Sequence, residues 1–112
     1  MSSKKEFICL IPDKPGMLEK RLEVRGQHLE GVRPLADNGS IVVGGAMVDS
    51  HPAPGETPPF KGSALIVVAE DEAQVRELIR KDIYTRSGVW DVENVQIIPF
   101  MCALRVGDRP LP

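Results

Sequence analysis

The sequence predicts an α+β fold with the ferredoxin-like order β-α-β-β-α-β, an antiparallel sheet carrying two helices on one face. Three observations predict it. Four apolar runs of strand length are separated by turn-forming residues. Two segments carry apolar residues at helical spacing, one after the first strand and one after the third. The strands are apolar on both faces: Ile41-Val42-Val43, Leu65-Ile66-Val67-Val68 and residues 95–101 do not alternate cleanly. Helices on one face leave the other open, so a second sheet from a homodimer partner is expected to cover it.

Residues 6–11 form the first apolar run, and Pro12-Asp13-Lys14-Pro15-Gly16 is turn chemistry that stops it. From residue 17 to 32, Leu18, Leu22, Leu29 and Val32 fall at helical spacing. Gly26 and Gly31 weaken that helix, and Pro34 is expected to end or kink it. After the turn signal Asp37-Asn38-Gly39, residues 41–48 read as a strand. Gly44-Gly45 within it suggests a bulge or a close backbone approach. Residues 49–60 hold Pro52, Pro54, Pro58 and Pro59 and read as a mobile loop, a lid or rim. Residues 63–69 are the clearest strand. Glu70-Asp71-Glu72 opens the second helix with carboxylates at its positive end. Residues 87–93 are a loop holding Trp90. Residues 95–104 make a last strand whose Pro99 argues for an edge or a bulge, and the tail from 107 to 112 is expected to fray.

At 112 residues the chain is the size of one domain, taken as 1–112 with its core at about 6–104. Hydrophobic residues are 42% and charged residues 27%, the balance of a globular protein. The net charge of −2 comes with no basic stripe, which argues against nucleic-acid binding. No apolar run is long enough for a bilayer, and no apolar signal segment follows the polar start Met1-Ser2-Ser3-Lys4-Lys5. Cys9 and Cys102 lie in apolar runs and read as buried free thiols. A cytoplasmic protein with no membrane partner is the expectation. No HxH, HxxxH or CxxC spacing supports a metal site. Gly44-Gly45 lies inside a strand, the wrong place for a phosphate loop, and neither Ser63 nor Cys102 has the local setting of a nucleophile.

Candidate chemistry comes from helix geometry. At 100° per residue, Leu18, Leu22, Leu29 and Val32 define a stripe that contains Arg25, with Arg21 and His28 on its flank. Asp82 lies seven residues after Val75, on the apolar face with Leu78 and Ile79 and at the helix end where the dipole disfavours a carboxylate. Buried charges need partners, so a polar cavity holding these groups is expected. Asp82 can pair with His28, Arg21 or Arg25. A carboxylate beside a histidine sets its tautomer and raises its basicity, as a general base requires. The plainer alternative is a structural polar cluster, with arginines that bury only their stems. Trp90 either caps the pocket or seals the dimer core.

The stretch Asp13-Lys14-Pro15-Gly16, then Arg21, Arg25, His28-Leu29, Asn38-Gly39 and Gly44, resembles the first half of YCII-related domains. Gly62-Ser63, the acidic helix start with Ala73, and Asp82 followed by Tyr84 resemble the second half. The resemblance implies a dimeric α+β barrel and a catalytic pair carried here by His28 and Asp82. The substrate-binding candidates beside them are Arg21, Arg25, Asp13 and Trp90. One activity in the family is dehydrochlorination of a chlorinated hydroxyquinol, an elimination that needs no cofactor; related dimers include muconolactone isomerases and cofactor-free monooxygenases. A cofactor-independent lyase or isomerase acting on a small cyclic or aromatic compound is therefore expected, with a non-catalytic ligand-binding or accessory module as the alternative. The family usually has proline directly after the aspartate. This chain has Ile83 there, which leaves the helix free to run on past Asp82.

Overall fold

The computed structural model describes residues 4–107. Strands β1 (Lys5–Pro12), β2 (Ile41–Val48), β3 (Phe60–Ala69) and β4 (Gln96–Phe100) form one antiparallel sheet in the order β2-β3-β1-β4. Helix α1 (Leu18–Asp37) joins β1 to β2 with β3 between them, and α2 (Glu72–Lys81) with the short α3 (Ile83–Arg86) leads from β3 towards β4. This is the predicted ferredoxin-like topology.

The two central strands show why the sheet has a distinct inner face. Phe7, Cys9 and Ile11 of β1 stand opposite Val67, Leu65 and Ser63 of β3, and all six are buried. With side chains alternating along a strand, these six point to the same face. Val24, Val75, Ile79, Tyr84, Val89 and Trp90 pack onto it from the helical side. The residues between them point the other way. Ile8 is in register with both Ile66 and Ile98, and Ile66 with Val43, so one apolar row crosses all four strands on the open face. Val43 is 53% and Ile98 41% exposed. The unclean alternation in the sequence has this origin.

Several expectations change. Leu18, Leu22 and Leu29 are not core residues: they are 39%, 42% and 48% exposed. The inward line of α1 is Arg21, Val24, His28, Val32 and Leu35, one flank away from the leucines. Arg25 goes to the exposed side with the leucines. Pro34 does not end α1, which runs on to Asp37. It stands in the last turn, and the turn at Gly39 (φ 82°) finishes the element. The register shifts of β2 lie at Ile41/Val43 and Met47/Val48, flanking Gly44-Gly45, while a Cβ at Gly44 would lie 3.4 Å from the Leu65 side chain. β4 is shorter than expected, and Pro99 sits in it as an edge strand paired only to β1. Cys9 and Cys102 are both free, and burial pushes the Cys9 thiol up to about 11; Cys102 is only half-buried. Of the expected frayed tail, residues 108–112 lie outside the described residues.

Gly62 has the closest approach. A Cβ there would lie 2.5 Å from the Ile11 carbonyl oxygen and 2.7 Å from the Met47 Cε. Only a glycine lets β1, β2 and β3 close up at this point, one residue before Ser63.

Candidate active site

The segment after β1 is laced to two others. Asp13 N–H donates to the Lys61 carbonyl, Lys14 N–H to that of Val89, and Asp91 N–H to that of Pro12. Asp13 and Trp90 thus form a β-bridge outside the sheet. This brings the Asp13 carboxylate to Arg21 on the inward face of α1. Arg21 Nη1 donates to both carboxylate oxygens, at 2.8 and 3.0 Å, and Nη2 donates to Ser63 Oγ at 2.9 Å. Its guanidinium lies 4.7 Å from the Tyr84 ring centre and 5.2 Å from that of Phe60. Planar, delocalised and weakly hydrated, arginine suits a site with an acceptor at its edge and aromatic faces beside it. Trp90 Nε1 donates to the same Ser63 Oγ at 3.1 Å. Burial holds the Asp13 carboxyl above the usual carboxylate range, against the opposing pull of Arg21.

The second half of the site arises where α2 stops. Asp82 is extended (φ −67°, ψ 143°), so it is not a residue of the helix face that its spacing suggested. It caps the next helical turn instead: its Oδ1 accepts from Tyr84 N at 2.8 Å. The carboxylate therefore faces free N–H groups, the reverse of the dipole conflict expected from the sequence. Side-chain capping sets the chain direction after α2, and Ile83 does not let the helix run on through Asp82. The same Oδ1 lies 2.9 Å from His28 Nδ1. A carboxylate only accepts, so this contact places the imidazole proton on Nδ1 and leaves Nε2 as the basic nitrogen.

Rings hold the histidine in place. His28 stacks on Tyr84 (centres 4.1 Å apart, planes at 19°), and Trp90 meets both edge-on at 5.8 and 5.5 Å. Burial raises the Tyr84 phenol above its usual range. Arg21 and Arg25 oppose that shift, and Asp82 and Asp13 add to it. A cleft of about 380 Å³ opens between α1 and β2, with Arg21, Arg25, His28, Ser63 and Tyr84 among its lining residues. Leu29, Val32, Ile41 and Leu65 make the rest of its wall largely apolar. His28 also borders a smaller hollow of about 250 Å³ on its Asp82 side.

Of the residues singled out from the sequence, His28, Asp82 and Arg21 meet at one place, and Arg25 stands at the cleft. Two lie elsewhere than expected. Asp13 does not line the cleft; it anchors Arg21 from behind. Trp90 neither caps the pocket nor waits for a partner subunit, being 1% exposed in the core of this chain. The sequence offers Ser63 only as an unsupported nucleophile and gives Tyr84 no role, although both stand among the residues that carry the family resemblance. Their signal was position: Ser63 follows the glycine that permits the close approach, and Tyr84 follows the capping aspartate by two residues. Among the described residues no group of three or more His, Cys, Asp or Glu side chains could hold a metal ion. No helix among them is long and apolar enough to cross a membrane.

Fold and site together define an α+β protein with a histidine–aspartate pair in the wall of a half-apolar cleft. The chain belongs to the YCII-related domain family, which it matches over residues 6–101. It is 37% identical to fusaric acid biosynthesis protein 2 of Gibberella moniliformis over 99 residues, 88% of this chain and 95% of that protein. It is 35% identical to protein YciI of Escherichia coli over 96 residues, covering 84% and 94% of the two chains. Among solved structures it is similar to 5-chloro-2-hydroxyhydroquinone dehydrochlorinase (TftG) of Burkholderia phenoliruptrix in complex with 2,5-dihydroxybenzoquinone. The TM-score is 0.73 at 25% identity, covering 86% of this chain and 93% of that one.

Proposed function

We propose that this protein is a cofactor-independent lyase or isomerase acting on a small hydroxylated cyclic or aromatic compound, with His28 and Asp82 as its acid/base pair. The observation that carries the proposal is the 2.9 Å contact from Asp82 Oδ1 to His28 Nδ1 beside a cleft that His28 lines. Nε2 has no protein partner among the described residues and is the nitrogen free to take a proton from a bound ligand. In an elimination, the electrons of the broken bond to hydrogen move into the ring, and a leaving group departs as an anion. In an isomerisation, His28 returns the proton to another carbon. In both, the Asp82 carboxylate stabilises the imidazolium formed. Arg21 and Arg25 lie where negative charge on a ligand oxygen is stabilised. The similarity to a dehydrochlorinase structure with a hydroxyquinone bound supports the substrate class.

Turnover of hydroxylated ring compounds, starting with 5-chloro-2-hydroxyhydroquinone and chloride release, tests the proposal. His28→Ala is expected to lower kcat by about 10²–10⁴-fold, the usual contribution of a positioned acid/base group. Unchanged turnover in this variant would remove His28 from the mechanism.

The apolar row Val43–Ile66–Ile8–Ile98 supports a homodimer whose sheets pack face to face through this open face. Ile98→Lys should shift the mass measured by light scattering from dimer to monomer. A wild-type protein that is monomeric at micromolar concentration would rule the arrangement out.

A further inference from the structure

Ser63 is a buried residue, 2% exposed, yet it lines the cleft. A serine hydroxyl has two acceptor lone pairs and one proton to donate. Both of its close partners can only donate: the Arg21 guanidinium at 2.9 Å and the Trp90 indole N–H at 3.1 Å. They occupy both lone pairs. No acceptor for the remaining proton stands within hydrogen-bond distance among the described residues. Burying a polar hydrogen without an acceptor costs free energy unless the site is completed by something else. Tyr84, which lines the same cleft, likewise has a hydroxyl with no partner among the described residues.

We infer that Ser63 is a specificity-determining residue that donates its hydroxyl proton to an acceptor oxygen of the ligand, a phenolate, enolate or quinone carbonyl. The polarity is imposed by Arg21 and Trp90, since their N–H groups leave Ser63 no free lone pair. A ligand atom at this position must accept and not donate. Arg21 reinforces the choice twice over, by filling the serine's lone pair and by placing positive charge 2.9 Å from the donating oxygen. This inference rests on the reading of the cleft as a ligand site for ring compounds, and it specifies which oxygen that site selects.

The test is the affinity of 2,5-dihydroxybenzoquinone for the wild-type chain, Ser63→Ala and Ser63→Thr, read by quenching of the single tryptophan and by calorimetry. Unliganded thermal unfolding of each variant serves as the control for folding. Ser63→Ala is expected to weaken binding about tenfold or more, the range for a hydrogen bond to a charged acceptor. Ser63→Thr, which keeps the hydroxyl, should return affinity to within about threefold of wild type. Loss in both variants would make the effect one of packing and overturn the inference. Full affinity in folded Ser63→Ala overturns the Ser63 assignment alone and leaves the cleft as a ligand site. If the wild-type protein does not bind the quinone, both the ligand-site reading and the Ser63 assignment fall.

Discussion

Arg21→Ala is expected to lower the folding stability of this protein by about 3–5 kcal/mol, the cost of removing one partner from a buried ion pair. The Arg21 and Asp13 side chains are only 5% and 8% exposed, so solvent screens the pair little. Truncation leaves the Asp13 carboxylate among apolar groups with no cation, and Ser63 loses one of its two donors. It also opens the space between Phe60 and Tyr84 that the guanidinium fills. Arg21→Lys should recover little, because an ammonium cannot meet both carboxylate oxygens and Ser63 in one plane. Asp13→Asn should cost less than Arg21→Ala. Burial already holds the Asp13 carboxyl above its usual range, so its ionised form destabilises the folded state. The sign follows from linkage: the folded state binds this proton more tightly than the unfolded chain. Stability from protonated Asp13 is present below its unfolded value and is lost as pH rises through the folded one. Urea unfolding of the three variants at neutral pH gives the ranking. An Arg21→Ala midpoint equal to wild type would show that the pair contributes nothing net.

The element order was legible because apolar runs, prolines and glycines report on local backbone needs, and these are local in sequence. The same reasoning offers His28, Arg21 or Arg25 as the partner of Asp82, and His28 is the one in contact with it. It failed on the face of α1, where three leucines outweighed Arg21 and His28 in any hydropathy-based assignment. The structure turns the helix so that the ionisable residues point inwards, since each finds a partner there: Asp13, Ser63 and Asp82. Ser63 and Asp82 lie 42 and 54 positions away along the chain, and no periodicity of a single helix reports them. Trp90 illustrates the same gap. Its place in a loop leaves it to cap the pocket or seal a dimer core, yet the bridge to Asp13 and the bond to Ser63 draw that loop into the core of this chain. Polar residues were readable as anomalies, then, but their direction depended on partners supplied by the folded topology.

The exposed leucines and the buried arginine have one further consequence for the site. With Arg21 anchored by Asp13 and flanked by two aromatic rings, its position does not depend on a ligand. The cleft presents a fixed positive group before anything binds, which favours stabilisation of developing negative charge without reorganisation. Arg25, on the exposed side of the same helix, has no such anchor among the described residues.

Asp82→Asn separates the two tasks that one carboxylate oxygen performs. Asparagine caps helix N-termini about as well as aspartate, so its oxygen should keep the Tyr84 N–H bond and the chain reversal after α2. Stability should therefore change by less than about 1 kcal/mol, within the span of cap substitutions. Catalysis should fare differently. The amide oxygen that keeps the Tyr84 N–H bond is also the one facing His28 Nδ1, so the contact persists, but with a neutral acceptor that has no charge with which to stabilise an imidazolium. The expected result is a fall in kcat of about 10²–10⁴-fold, with ligand affinity within a few fold of wild type. Asp82→Ala should add to this a loss of about 1 kcal/mol of stability from the missing cap. Steady-state kinetics on an active ring compound, paired with urea unfolding of the same preparations, distinguishes the outcomes. Wild-type kcat in a folded Asp82→Asn protein would mean that the contact to His28 is structural, and that proton transfer in the cleft does not depend on this pair.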